Sequence, residues 1–265
     1  MDDVPANPAT ADFGTRTYDI NGVETVVLTI GSGPPLVFLH GTGTFTGFEV
    51  ARQWAKTHTV IIPYHPGFGD SGDSDILVAM DDYVLHYMDL FDALGLNGFA
   101  LAGFSVGAWI AAEFAIRQPE RIGRLVLVGP AGLVVEETPA PDLFQIAPEE
   151  LPSYLAHDPA AALKYFPSEP DPDFDARLGR EVGSLAKLLN GNPQGNPKLA
   201  AWVHRISMPT LLLWGAEDRL RPAAQSKTWL ELLPDGRLEL VPATGHLVFE
   251  ETPAAGTIVT DFLAG

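Results

Sequence analysis

A chain of 265 residues that is 46% apolar can fill the core of one domain, with or without a sizeable insertion. Its formal net charge of −18 works against nucleic acid and anionic membrane surfaces, and the lack of any cysteine excludes disulfides, thiolate metal sites and a cysteine nucleophile. Met1–Gly14 is polar and dotted with proline and has neither the basic nor the apolar region of a leader, and no apolar run reaches the length of a membrane span, so a soluble, cytoplasmic protein is expected.

Arg16–Ile20 and Val23–Ile30 read as strands joined by the Asn21-Gly22 turn, a strong hairpin signal. Leu36–Leu39 and Thr59–Ile62 are short apolar runs of the kind that form buried strands. Tyr83, Tyr87, Leu90, Phe91 and Leu94 recur at helical spacing over Asp82–Leu94, and Gly95 stops the pattern. A strand at Phe99–Ala102, a helix at Val106–Arg117 and a strand at Leu125–Val128 follow. This alternation marks βαβ units on a parallel sheet, with the hairpin as an antiparallel edge. The pattern breaks at Gly129-Pro130. Residues 133–206 hold no strand-like run. They are acidic and rich in proline, with short helical stretches at Arg177–Leu189 and Pro197–Arg205. Their aromatics (Tyr154, Phe166, Phe174, Trp202) are too many for a flexible linker, so a helical insertion is expected. The sheet pattern resumes with strands at Thr210–Trp214 and Arg237–Val241 and helices at Ala224–Leu233 and Pro253–Leu263. The core is therefore residues 1–132 and 207–265.

Chemistry concentrates at four strand ends. Gly103-Phe104-Ser105-Val106-Gly107 lies between a strand and a helix, the setting of a nucleophile elbow: a strained turn exposes the hydroxyl, and the helix N-terminus supplies N–H groups. His40-Gly41-Thr42-Gly43 follows another strand and can supply an oxyanion-binding N–H, which gives Thr42 and Val106 as the two donors. His40 itself is expected to bond backbone inside its loop. Two adjacent acids, Glu217 and Asp218, stand just beyond Trp214, and either could orient an imidazole. His246 follows the last strand, and the order Ser, Asp, His is the order of one hydrolase fold.

Together these pieces resemble the α/β-hydrolase family. Trp214-Gly215-x-x-Asp218-x-x-x-Pro222 is similar to one of its stretches, and Gly245-His246 before Glu251-Thr252-Pro253 to another. Pro66-Gly67-Phe68-Gly69-Asp70-Ser71 is similar to the turn after its fourth strand. The resemblance implies an α/β fold with a mostly parallel sheet, flanking helices and residues 133–206 as a helical cap. It implies a triad of Ser105, Asp218 and His246, with Asp218 chosen over Glu217 by the family spacing. Phe104 stands where many relatives have His, which makes the pocket more apolar. Tyr64 stands where many have Asp. A serine nucleophile argues against the branches that use a carboxylate.

The activity this implies is cleavage of carboxylic esters with small to medium apolar acyl groups, through an acyl-enzyme and without cofactor or metal. A small-molecule ester is the expected partner. The oligomeric state is left open. No dinucleotide fingerprint, phosphate loop or metal spacing is present among the glycines and the seven histidines. Two alternatives stand beside the ester reading. One is C–C bond hydrolysis of a diketone-type substrate, whose enzymes often carry Trp where this chain has Leu247. The other is a slow-turnover ligand-binding receptor built on the same fold.

Overall fold

The computed structural model describes residues 8–44 and 46–265, so the expectation about a leader in Met1–Gly14 lies largely outside the described residues. In chain order the elements are β1 (Gly14–Ile20), β2 (Val23–Gly31), β3 (Pro35–Leu39), α1 (Glu49–Trp54), β4 (Thr59–Pro63), α2 (Met80–Ala93), β5 (Phe99–Phe104), α3 (Val106–Arg117) and β6 (Ile122–Val128). Then come α4 (Leu151–Leu155), α5 (Pro159–Leu163), α6 (Pro172–Leu189), β7 (Thr210–Gly215), α7 (Gln225–Leu232), β8 (Gly236–Val241), α8 (Val248–Glu251) and α9 (Ala255–Ala264). The eight strands form one sheet in the order β1-β2-β4-β3-β5-β6-β7-β8. The pairs β1–β2 and β2–β4 are antiparallel and the rest are parallel. Asn21 and Gly22 take φ of 54° and 83°, the double positive φ that a tight hairpin turn needs.

Parallel strands must be covered on both faces, which is why they read as unbroken apolar runs. Leu125–Val128 and Leu211–Trp214 are wholly buried. Their alternate side chains serve two separate cores. Leu39, Leu125, Leu127 and Leu212 face the α2–α3 side with Leu90, Phe91 and Phe114. Leu36, Phe38, Val126 and Leu211 face the α1–α9 side with Trp54, Val259 and Phe262. Helix α3 is buried from Val106 to Ile116, which explains its run of alanines: larger residues all round would not fit between sheet and neighbours.

Register brings the strand ends together. Leu39 pairs with Gly103, Phe104 with Val128, Val128 with Leu213, and Gly215 with Val241. The loops after β3, β5, β6, β7 and β8 therefore leave from one edge. That edge is the carboxyl end of the strands, where open parallel sheets place ligands.

Between β6 and β7 the described residues form no strand, and Leu133 and Asn196 meet in one isolated bridge. Helix α6 starts five residues before the apolar spacing predicts, at Pro172. Asp171 accepts from the N–H groups of Asp173 and Phe174 at 3.0 and 3.2 Å, a cap that apolar periodicity does not reveal. The helix expected over Pro197–Arg205 is instead two 3-10 turns, Leu199–Ala201 and Val203–Arg205. So short a stretch cannot offset the cost of nucleating an α-helix. No helix of the described residues is long and apolar enough to cross a membrane.

Candidate active site

Ser105 stands between β5 and α3 with φ 54° and ψ −116°, a conformation an L-residue rarely adopts and that costs about 1–3 kcal/mol. The glycines on either side are required by contact. A Cβ on Gly103 would lie 2.5 Å from the Gly107 carbonyl oxygen, and one on Gly107 would lie 2.2 Å from the carbonyl oxygens of Leu39 and His40. The turn is tied to the sheet by the Ser105 N–H, which donates to the Val128 carbonyl at 2.9 Å. The Ser105 carbonyl accepts from the N–H groups of Ala108, Trp109 and Ala131 at 3.1–3.2 Å. The N–H of Val106 opens α3 and has no acceptor within its own helix.

The loop after β7 holds Asp218 with its side chain shut from solvent. Oδ1 accepts from the N–H groups of Leu220 and Arg221 at 2.9 and 2.7 Å, and Oδ2 accepts from Nδ1 of His246 at 2.8 Å. Glu217 is exposed. Of the two neighbouring acids, then, Asp218 meets the imidazole and Glu217 faces solvent. The bond to Asp218 puts the proton of a neutral imidazole on Nδ1 and leaves the Nε2 lone pair free. Nε2 is buried and makes no hydrogen bond. Gly129, at φ 46°, backs the pair. A Cβ there would lie 3.3 Å from His246 Nδ1 and 3.4 Å from Asp218 Oδ2. The Phe104 ring lies on the imidazole at 4.8 Å between centroids, so the departure noted at this position forms an apolar wall of the histidine.

The loop after β3 is held from behind by a buried histidine pair. The His65 N–H donates to His40 Nε2 at 3.0 Å, so His40 carries its proton on Nδ1 and donates to the Gly41 carbonyl at 2.6 Å. His65 Nε2 donates to the His40 carbonyl at 2.7 Å, and the Tyr87 hydroxyl donates to His65 Nδ1. Burial pulls His40 down to about 4, and burial followed by the neighbouring His40 holds His65 well below the usual histidine range. Both rings are therefore neutral at pH 7. On the other side of the loop, Glu181 of α6 accepts from Thr44 N–H at 3.1 Å, Thr44 Oγ1 at 2.6 Å and Gly69 N–H at 3.0 Å.

Ser105, His246, Thr42, Val106, Arg221 and Glu250 line one cavity of about 380 Å³, whose remaining wall is largely apolar. Burial pushes the Glu250 carboxyl above the usual range. No cluster of three or more His, Asp or Glu among the described residues could hold a metal ion.

Of the five residues named from the sequence, Ser105, Thr42, Val106 and His246 line this cavity and Asp218 lies behind it on His246; His65, Glu181, Arg221 and Glu250 were not named. Glu181 had a usable signal. With Ser184, Leu185 and Leu188 it falls at i, i+3, i+4 and i+7, an acid at a core position of an amphipathic helix.

A sequence profile of the alpha/beta hydrolase family matches residues 36–258. A 2-hydroxy-6-oxo-2,4-heptadienoate hydrolase of Pseudomonas putida is 29% identical over 282 residues, covering 96% of this chain and 97% of its own. Two solved structures share the fold. One is the 2-hydroxy-6-oxo-6-phenylhexa-2,4-dienoate hydrolase of a Rhodococcus species, with a TM-score of 0.78 at 19% identity, covering 96% of this chain and 99% of that one. The other is the naproxen esterase of Bacillus subtilis, with a TM-score of 0.77 at 21% identity, covering 95% and 91%.

Proposed function

The chain belongs to the alpha/beta hydrolase family, and from that premise we propose that it is a serine hydrolase of carboxylic esters with small to medium apolar acyl groups. The observation that carries this reading is His246. Its Nδ1 is committed to Asp218, while its unpartnered Nε2 is buried in the wall of the cavity that Ser105 lines. A neutral imidazole so arranged is a base waiting for a hydroxyl proton.

Ser105 Oγ attacks the ester carbonyl as His246 Nε2 takes its proton. Asp218 holds the ring in this tautomer and stabilises the imidazolium. The backbone N–H groups of Thr42 and Val106 bind the tetrahedral oxyanion. His246 returns the proton to the departing alcohol, then draws a proton from water as it attacks the acyl-enzyme. Residues 133–206 act as a cap that closes the acyl end of the cavity, to which they contribute Leu143, Phe144, Leu155 and Phe166. No step calls for a metal or cofactor.

A second reading is favoured by the Pseudomonas putida relative, whose name describes a hydrolase of a 2-hydroxy-6-oxo dienoate. The same groups could cleave a C–C bond beside a ketone. One assay divides the two: p-nitrophenyl esters from acetate to octanoate against a 2-hydroxy-6-oxo dienoate, with Ser105→Ala as control. The ester reading expects ester turnover and fluorophosphonate labelling, both lost in the variant. Fast dienoate cleavage with negligible ester turnover would replace it with the second.

A further inference from the structure

The cavity at Ser105 carries one charged side chain that nothing around it uses. Arg221 lies in the turn that grips Asp218. Its N–H donates to Asp218 Oδ1 at 2.7 Å, and its carbonyl accepts from Trp214 Nε1 at 2.7 Å. Those two bonds fix its backbone, and the residue lines the cavity wall. The guanidinium is left over. Nε is buried without a hydrogen-bond partner, and among the described residues the side chain makes no ion pair. Arg219, two residues earlier, shows the contrast: it donates to Ser153 and lies over the Tyr154 ring at 4.5 Å.

The cavity's own acids do not answer this cation. Asp218, behind the cavity wall, acts on Arg221 only through its charge, since its oxygens are taken by His246 and two N–H groups. Asp142 accepts from Phe144 N–H. Among the cations of the described residues, Lys164 is the one that acts on Glu250. Burial lowers Arg221 to about 10, with Asp218 opposing, so it stays charged at neutral pH. The same cavity wall carries apolar groups such as Leu143, Leu189 and Leu220. Arg221 is half-buried, and a buried guanidinium N–H without an acceptor is costly unless a ligand answers it; the ligand that matches the planar fork is a carboxylate bound through two parallel N–H···O bonds.

We infer that Arg221 is a specificity-determining residue that binds a carboxylate carried by the acyl part of the substrate, so that the enzyme prefers monoesters of dicarboxylic acids to neutral esters of equal length. This rests on the serine-ester reading above. The chemistry is unchanged: water adds across the ester, and an alcohol and the second carboxylic acid leave. The −18 net charge repels anions in general, so this preference is set by one local cation and does not extend to polyanions.

The test compares mono-p-nitrophenyl suberate with p-nitrophenyl octanoate in the wild type, Arg221→Lys and Arg221→Met. The ratio of kcat/KM values should favour the acid by about ten- to a hundredfold in the wild type, the worth of hydrogen bonds to a charged group. It should fall near unity in the Met variant and lie between in the Lys variant, which keeps the charge but loses the fork. A binding measurement separates this from catalysis. Monomethyl suberate and dimethyl suberate are titrated calorimetrically into Ser105→Ala with and without Arg221→Met. The second substitution should weaken the acid at least about tenfold and leave the diester alone. Equal ratios in wild type and Met variant, or equal binding of the acid, overturn the assignment. A wild type that hydrolyses neither ester defeats the ester reading, and the binding pair then decides Arg221 by itself.

Discussion

The sheet edge and the segment between β6 and β7 are held by different means. Leu125–Val128 and Leu211–Trp214 are fully buried, and the backbone ladder of β6 and β7 sets the positions of their ends. Helix α6 buries only five of its eighteen residues, and two of those five are polar, Glu181 and Ser184. It is fastened by side chains: Glu181 to Thr44 and Gly69, Ser184 Oγ to the Gly67 carbonyl at 3.2 Å, and Arg180 to the carbonyls of Gly69 and Ser71. Near α4 and α5 the pin is Glu251, which accepts from the N–H groups of His157 and Asp158 at 3.0 and 2.9 Å and from Gly245 N–H at 2.5 Å. A ladder spreads its energy over many weak and mutually supporting bonds, so one substitution rarely undoes it. A pinned helix concentrates its attachment in a few groups, each worth more when lost. Damage at the strand ends should therefore fall on the chemical step in a folded protein, and damage at a pin on stability and cavity shape together.

The largest effect tests the first half of that contrast. Ser105→Ala should lower ester turnover by about 10⁴- to 10⁶-fold while circular dichroism and melting stay near wild type. Residual fluorophosphonate labelling in this variant would show that another nucleophile operates. Asp218→Asn keeps shape and removes charge. About 10⁴-fold should be lost, in kcat more than KM, because the imidazolium forms only during reaction.

The second half is tested at Glu181. Its replacement by Ala strands the N–H groups of Thr44 and Gly69, and should cost about 3 kcal/mol, or roughly 5–10 °C in melting temperature, with a fall in kcat/KM as the loop after β3 loosens. A variant that melts normally would mean the pin is not where the insertion is held. Acid should act on the scaffold through its neutral histidines. Burial holds His40 and His86 near 4, so between that value and about 6.5 the unfolded chain binds more protons than the folded one. Stability is then complete above about 6.5 and is lost as pH falls through this window, by about 3 kcal/mol for His40 alone at pH 4. Denaturant titrations at pH 7 and pH 5 read this directly, and unchanged midpoints would contradict it. The smallest effect expected is that of Glu217→Gln, an exposed acid beside Asp218. It should change turnover by less than about twofold and stability by under about 1 kcal/mol, and a crippled Glu217→Gln enzyme would reverse the choice between the two acids.

What could be read in the sequence follows the same division. Unbroken apolar runs mark β5, β6 and β7 because both faces of the sheet are covered, and helical spacing marks α2 because one side of it meets the core. The glycines of Gly103–Gly107 announce a turn that no side chain could occupy. The adjacent acids were not separable from the residues alone; the family resemblance pointed to Asp218, and it is Asp218 whose Oδ2 lies 2.8 Å from His246 Nδ1. The short helices α4, α5 and α8 were not legible, because four or five residues carry no periodicity. His65 was not legible as a support of the site, because its partner lies 25 positions away and nothing local distinguishes it from a solvated residue. Glu181 was legible as an acid at a core position of its helix, but its partner, 137 positions away, was not.

The Glu181 pin also bears on how such enzymes could be recombined. Thr44 and Gly69 belong to the sheet's own loops, yet the group that satisfies them arrives from the inserted segment. A chimera that exchanged residues 133–206 for the cover of another hydrolase would leave those donors bare unless the new helix carried an acid at the equivalent turn. If residues 133–206 are the cap proposed above, cover and scaffold are not independent modules. Grafting experiments that retain Glu181 on its helix, and swap only what lies beyond it, should yield folded catalysts far more often than wholesale exchange.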